Sequence, residues 1–173
     1  MSILSASVIL IVSAIVAGAV LLPRTFKVER SIEISAPKEK IFMYLKDLNN
    51  RKEWTSWFEQ EPGAQSQFNG TIGAIHSSFS WQGKAMASGR VEIENLKPSE
   101  LIQTKLDFFT PFTMTSQDSF ILSEKSSGST KVIWRNEGGL AGTQRIFGLF
   151  LDRLIGKDYE AGLNKLKHKL ESL

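Results

Sequence analysis

Phe26-Lys27-Val28-Glu29-Arg30-Ser31-Ile32-Glu33-Ile34, followed at once by Ser35-Ala36-Pro37, reads as a strand that hands over directly to a helix. Phe26, Val28, Ile32 and Ile34 fall on one face and Lys27, Glu29, Ser31 and Glu33 on the other, the two-residue period of a half-buried strand. Arg30 shares the apolar parity, so it must meet an acid on the inner side or snorkel to solvent at a strand end. Ser35 is placed to cap the helix, Pro37 suits a first turn whose N–H has no intrahelical partner, and Glu39 favours the positive end. Ile41, Phe42, Leu45 and Leu48 then form one helical face.

Beyond Asn49-Asn50, a short helical or irregular segment carries Trp54, Trp57 and Phe58 before Glu61-Pro62-Gly63 turns the chain. Short alternating runs then recur to Gly138, the pattern of an antiparallel meander. The predicted strands are 71–81, 84–94, 100–109, 112–123 and 131–137. Gln82-Gly83 reads as a tight hairpin, Lys97-Pro98-Ser99 as a turn, Thr110-Pro111 as a break, and 126–129 as a loop in which Gly128 offers positive φ. An open sheet of this size needs a cover. The segment 143–173 supplies one, with Ile146, Leu149, Phe150, Leu154, Leu163, Leu166 and Leu170 at helical spacing; Gly156 and Gly162 are candidate points for a kink.

Upstream, residues 1–23 hold no charged side chain, so the 21 Lys and Arg and 18 Asp and Glu of the 173-residue chain all fall in 24–173. The 20 residues from Ile3 to Leu22 would span about 30 Å as a helix, the thickness of a bilayer core. Ala17-Gly18-Ala19 has the small-x-small form of a cleavage site, yet the basic n-region of a signal peptide is missing, which favours an uncleaved anchor. Arg24, Lys27 and Arg30 follow the run, so the positive-inside bias predicts a single-pass cell-membrane protein with its domain in the cytoplasm. The chain therefore divides into an anchor, 1–23, and one domain, 24–173, long enough for a sizeable core.

With no cysteine, disulfides, a thiolate nucleophile and cysteine metal sites are excluded. The net charge of +3 is spread among acids, a distribution that does not call for nucleic acid. His76 falls on an outer strand face and His168 among lysines, and no HExxH, GxSxG or P-loop pattern occurs. No metal, cofactor or catalytic group is predicted, although an acid/base role for Asp107, Asp118 or Glu137 stays open. Arg153, Lys157, Lys165, Lys167 and Lys169 make the last helix basic, either as a solvated face or as one suited to an acidic membrane surface.

The order strand, helix pair, strands and long terminal helix, together with 28–37 leading into Ile41-Phe42, resembles the START-like, helix-grip superfamily known as SRPBCC. Further points of resemblance are Trp54 and Trp57, Trp81-Gln82-Gly83, Gly89, Thr130-Lys131-Val132-Ile133-Trp134 and Gly162-Leu163. It covers 26–170 and lies nearest the polyketide cyclase/dehydrase branch. It implies an α+β fold, a curved antiparallel sheet wrapped around the C-terminal helix, with a cavity between them for an apolar ligand.

Strand parity then nominates residues for that cavity. Ile75, Phe79 and Trp81 share one face, as do Leu106 and Phe108, and Met114, Phe120 and Leu122, while Trp54, Trp57 and Trp134 lie near the expected mouth or wall. Plain core packing would place the same side chains inside. Ala85, Ala87 and Gly89 leave volume opposite them. Arg30, Ser116 and Asp118 are polar on inward parity, and an Arg30–Asp118 pair would satisfy both charges. The expected function is binding of a hydrophobic small molecule or lipid by a membrane-anchored domain; a cyclase/dehydratase-like enzyme and a protein-interaction domain are the alternatives.

Overall fold

The computed structural model describes residues 22–84, 86–110, 113–126 and 128–172. The first strand, β1 (Thr25–Ile34), is followed by helix α1 (Lys38–Lys46), a 3-10 turn at Leu48–Asn50, and the short helices α2 (Arg51–Trp54) and α3 (Trp57–Gln60). Six more strands follow: β2 (Gln65–Asn69), β3 (Ser78–Gln82), β4 (Gly89–Lys97), β5 (Leu101–Phe108), β6 (Met114–Ser126) and β7 (Ser129–Gly139). Helices α4 (Gln144–Gly148) and α5 (Leu151–Glu171) complete the chain.

All neighbouring strands are antiparallel in one seven-stranded sheet, ordered β1-β7-β6-β5-β4-β3-β2. The helical segment after β1 carries the chain to the opposite edge, and the meander returns until β7 pairs with β1. Helix α5 lies on the concave face, where Tyr159, Leu163, Leu166 and Leu170 meet Phe26, Val28, Ile34, Phe120, Val132 and Trp134. Burying each such side chain contributes about 1.5–3 kcal/mol. A second cluster, Leu48, Phe79, Trp81, Val91, Ile93 and Leu106, fills the β3–β5 end.

Several sequence expectations change in the structure. The predicted anchor falls outside the described residues except for Leu22 and Pro23; among the described residues no helix is long and apolar enough to cross a membrane. Ser35 does not cap α1: Pro37 occupies the N-cap, and the Ser35 N–H donates to Glu171 Oε1 instead. The terminal helix is interrupted at 149–150, between α4 and α5, and runs unbroken through Gly156 and Gly162. Both of those glycines permit close approach: a Cβ at 156 would lie 2.0 Å from Arg30 Nη2, and one at 162 would lie 3.1 Å from Trp134 Cζ3.

Strand β3 begins only at Ser78, because the preceding residues fold as a loop in which Gly70, Gly73 and His76 take positive φ. Ile75 therefore sits in that loop, 47% exposed, and does not share the inner face with Phe79 and Trp81. Gln82-Gly83 is not a tight hairpin; residues 83–88 separate β3 from β4. Strand β2, the polar edge Gln-Ser-Gln-Phe-Asn, carries no alternation by which sequence could mark it.

Candidate ligand cavity

A cavity of about 240 Å³ lies between the sheet and the junction of α4 with α5. Pleating turns Leu106 and Phe108 of β5 and Met114 of β6 to the same side, with Phe108 and Met114 directly paired. Asn136 of β7 and Leu140 extend this wall; Phe147, Leu151, Leu154, Ile155 and Tyr159 form the helical wall, and Trp57 closes the inner end. Ala87, Thr110, Thr143 and Gln144 complete the rim. The lining is apolar, with a few neutral polar groups, and among the described residues Tyr159 is its one titratable side chain.

Behind the inner end lies a closed polar network. Tyr159 stacks on Trp134 with centroids 3.7 Å apart and planes 8° from parallel. Trp134 Nε1 donates to Asp118 Oδ1 at 2.6 Å, and Arg51 Nη2 donates to Asp118 Oδ2 at 2.9 Å. Asp118 is fully buried and Arg51 nearly so. Burial, and after it the Asp118 carboxylate, push the Tyr159 hydroxyl well above its ordinary range, so this phenol remains protonated at neutral pH. Trp54 packs edge-on against Phe120 and Trp134, with its own Nε1 buried and without a hydrogen-bond partner. Asn136, whose Nδ2 donates to Ser116 Oγ at 3.1 Å, is the buried amide on the cavity wall.

The rim loops are pinned from several sides. Trp81 Nε1 donates to Ala87 O at 2.7 Å, and the Glu61 carboxylate accepts from the backbone N–H of Lys84 and Met86. Ser88 Oγ lies 2.5 Å from Thr110 Oγ1, tying the β3–β4 and β5–β6 connections together at the mouth.

Of the predicted ligand contacts, Trp57, Phe108 and Met114 line the cavity. Trp54, Phe120, Trp134 and Asp118 are buried behind its inner end, while Phe79 and Trp81 belong to the second core cluster and Ile75 is remote in its loop. The Arg30–Asp118 pair does not form. Arg30 reaches α5 instead, donating from Nη1 to Asp152 at 2.8 Å and from Nε to Glu160 at 2.7 Å, and these partners raise its pKa further. Asp118 takes Arg51, which sequence reading missed although Leu48, Arg51 and Trp54 recur every three residues on one buried face. Ala85 lies outside the described residues, and Gly89 has no free volume: a Cβ there would be 2.6 Å from Asp107 O. The lysines of α5 hold the helix in place, Lys165 pairing with Glu59 and Lys169 with Glu53 at 2.9 Å.

Residues 25–171 match the family model described as polyketide cyclase/dehydrase and lipid transport. No curated protein matches the sequence. Similar solved structures include a protein of Thermobifida fusca, 13% identical with a TM-score of 0.65, covering 85% of this chain and 94% of that one. The Aha1 dimer of Colwellia psychrerythraea is 18% identical with a TM-score of 0.58 over 84% and 96% of the two chains. A protein of Mesorhizobium loti is 20% identical with a TM-score of 0.60 over 86% and 98%. At such identities the likeness shows the fold alone.

Proposed function

Because the chain belongs to the polyketide cyclase/dehydrase and lipid-transport family, we propose that it binds a hydrophobic small molecule or lipid in the cavity between the sheet and the C-terminal helices, without transforming it. The observation that carries this reading is the wall itself: an apolar chamber whose only titratable lining group among the described residues is a phenol held protonated. General acid–base catalysis calls for a proton-transfer group within reach of the ligand, and Asp118, the nearest buried carboxylate, lies behind the inner end with one oxygen on Arg51 and the other on Trp134. Asn136 offers the ligand a neutral polar contact, which suits a carbonyl or hydroxyl on an otherwise apolar molecule.

The proposal includes the anchor. Residues 1–23 hold the domain at the cell membrane, on its cytoplasmic side by the positions of Arg24, Lys27 and Arg30. Tethering there raises the local concentration of the domain near any ligand that partitions into the bilayer. The test is native mass spectrometry of the full chain released from detergent or nanodiscs, followed by organic extraction of bound molecules. A co-purifying apolar ligand, or stoichiometric uptake of an apolar fluorophore, supports the reading; an empty cavity that takes up no apolar molecule overturns it. Turnover of a bound polyketide-like substrate would replace it with the enzymatic reading.

A further inference from the structure

Among the described residues, five of the nine exposed large apolar side chains fall within residues 146–154. Ile146, Leu149, Phe150 and Leu154, on α4, the break after it and the first turn of α5, are each more than half exposed. Leu154 also lines the cavity, so this ridge is one lip of its mouth. Leu22 and Pro23, just before β1, are held at the same place: Arg145 of α4 donates from Nε to Pro23 O at 3.3 Å and from Nη2 to Leu22 O. Arg24, Arg153 and Lys157 are exposed around the ridge, whereas Asp152, the nearby acid, is taken by Arg30.

We infer that this ridge docks on an anionic lipid surface and seats the mouth of the cavity against the bilayer, so that ligand passes between membrane and cavity without crossing water. Apolar side chains ringed by Arg and Lys suit the headgroup boundary, where the former insert and the latter meet phosphates. A second copy of the chain is a poorer occupant: four half-exposed side chains offer on the order of 400 Å², about half of what each partner buries in a stable dimer. The route of entry rests on the cavity-binding reading; the docking itself does not.

The chain has no cysteine, so one introduced thiol reports one position. Leu149→Cys and Ser126→Cys are labelled with an environment-sensitive fluorophore in the full chain, reconstituted into phosphatidylcholine/phosphatidylglycerol vesicles containing brominated lipid. Ser126 is the control because β6 runs from Met114 at the cavity to Ser126, twelve residues or about 40 Å away. Docking gives quenching by bromolipid severalfold stronger at 149 than at 126, with protection from aqueous iodide at 149 that Phe150→Glu with Leu154→Glu removes. A chain that floats with the vesicles while both labels are equally open to iodide keeps the anchor and overturns the docking. Shielding at 149 without bromolipid quenching means a protein cover and overturns it as well. A chain that does not float overturns docking and anchor together. Bromolipid contact without uptake of an apolar fluorophore upholds docking and removes the cavity reading.

Discussion

Arg51 Nη2 donates to Asp118 Oδ2 at 2.9 Å, joining the short helix α2 to the interior strand β6 across 67 residues of sequence. The Arg51 side chain is 6% exposed and that of Asp118 not at all. The guanidinium also lies over the Trp54 ring, 5.8 Å from its centroid, and Asp118 receives the Trp134 indole on its other oxygen. The network thus fixes the aromatic layer at the inner end of the cavity.

Breaking it from one side should be costly. Arg51→Leu leaves a buried carboxylate without its cation, and the expected loss is about 3–5 kcal/mol. Adding Asp118→Asn removes the orphaned charge while leaving an acceptor for Trp134 Nε1, so the double variant should be more stable than the single one. Urea unfolding followed by tryptophan fluorescence measures both. Equal losses in the two variants would mean that Arg51 stabilises by packing alone.

The two buried glycines of α5 should respond differently to alanine. Each replacement gains about 1 kcal/mol of helix propensity. At Gly156 the new Cβ meets the far end of Arg30, a flexible side chain that can swing away at the cost of two largely exposed ion pairs, so Gly156→Ala should stay within about 1 kcal/mol of wild type. At Gly162 it meets Trp134, held between Tyr159, Phe120 and Trp54, and overpacking there should cost about 1–3 kcal/mol. Thermal melts of the two variants, with salt dependence for Gly156→Ala, separate these outcomes.

The contrast between Arg30 and Arg51 marks how far the sequence could be read. Alternation in β1 placed Arg30 on the inner face and required it to find an acid or water; the acids it found, Asp152 and Glu160, belong to a helix 122 and 130 residues later. Parity says which way a side chain points, and the partner depends on strand register and helix placement, which no local pattern encodes. Element order and the apolar faces of β1, β5, β6 and α5 were legible because their periods are strong. Ile75 misled because its parity extended a strand that positive φ at Gly73 and His76 ends. The rim of the cavity was not legible, because it is built from the break between α4 and α5 and from loops without period.

Alkali should unfold the protein through its two tyrosines. Burial first, then the Glu53 hydrogen bond, raise the Tyr44 pKa, and burial raises that of Tyr159. A phenol whose pKa is higher folded than unfolded contributes stability that is complete below about pH 10, and that stability is lost as the pH climbs toward the folded value. Phenolate absorbance at 295 nm should therefore stay flat near pH 10 and rise only together with loss of structure. Acid acts in the opposite sense: Glu29 beside Arg135, Glu53 beside Lys169 and Asp152 beside Arg30 have lowered pKa values, so their contribution is lost as pH falls below about 4.

Two neighbouring small residues, Ala87 and Gly89, offer a direct probe of the cavity because they carry different burdens. Ala87 is on the cavity rim, and its carbonyl accepts from Trp81 Nε1 whatever the side chain. Leucine at 87 should fill space while keeping that hydrogen bond, leaving stability within about 1.5 kcal/mol and lowering uptake of an apolar fluorophore at least tenfold. Gly89 sits where β4 pairs with both Trp81 and Phe108, and its Cβ would fall 2.6 Å from a backbone oxygen and 2.7 Å from the Trp81 ring. Neither neighbour is a flexible chain end, so Gly89→Leu should disrupt the β3–β4–β5 pairing and unfold that end of the sheet before it tests binding. Fluorophore titration alongside circular dichroism distinguishes the two: a folded Ala87→Leu protein that binds as well as wild type would place the ligand outside this cavity.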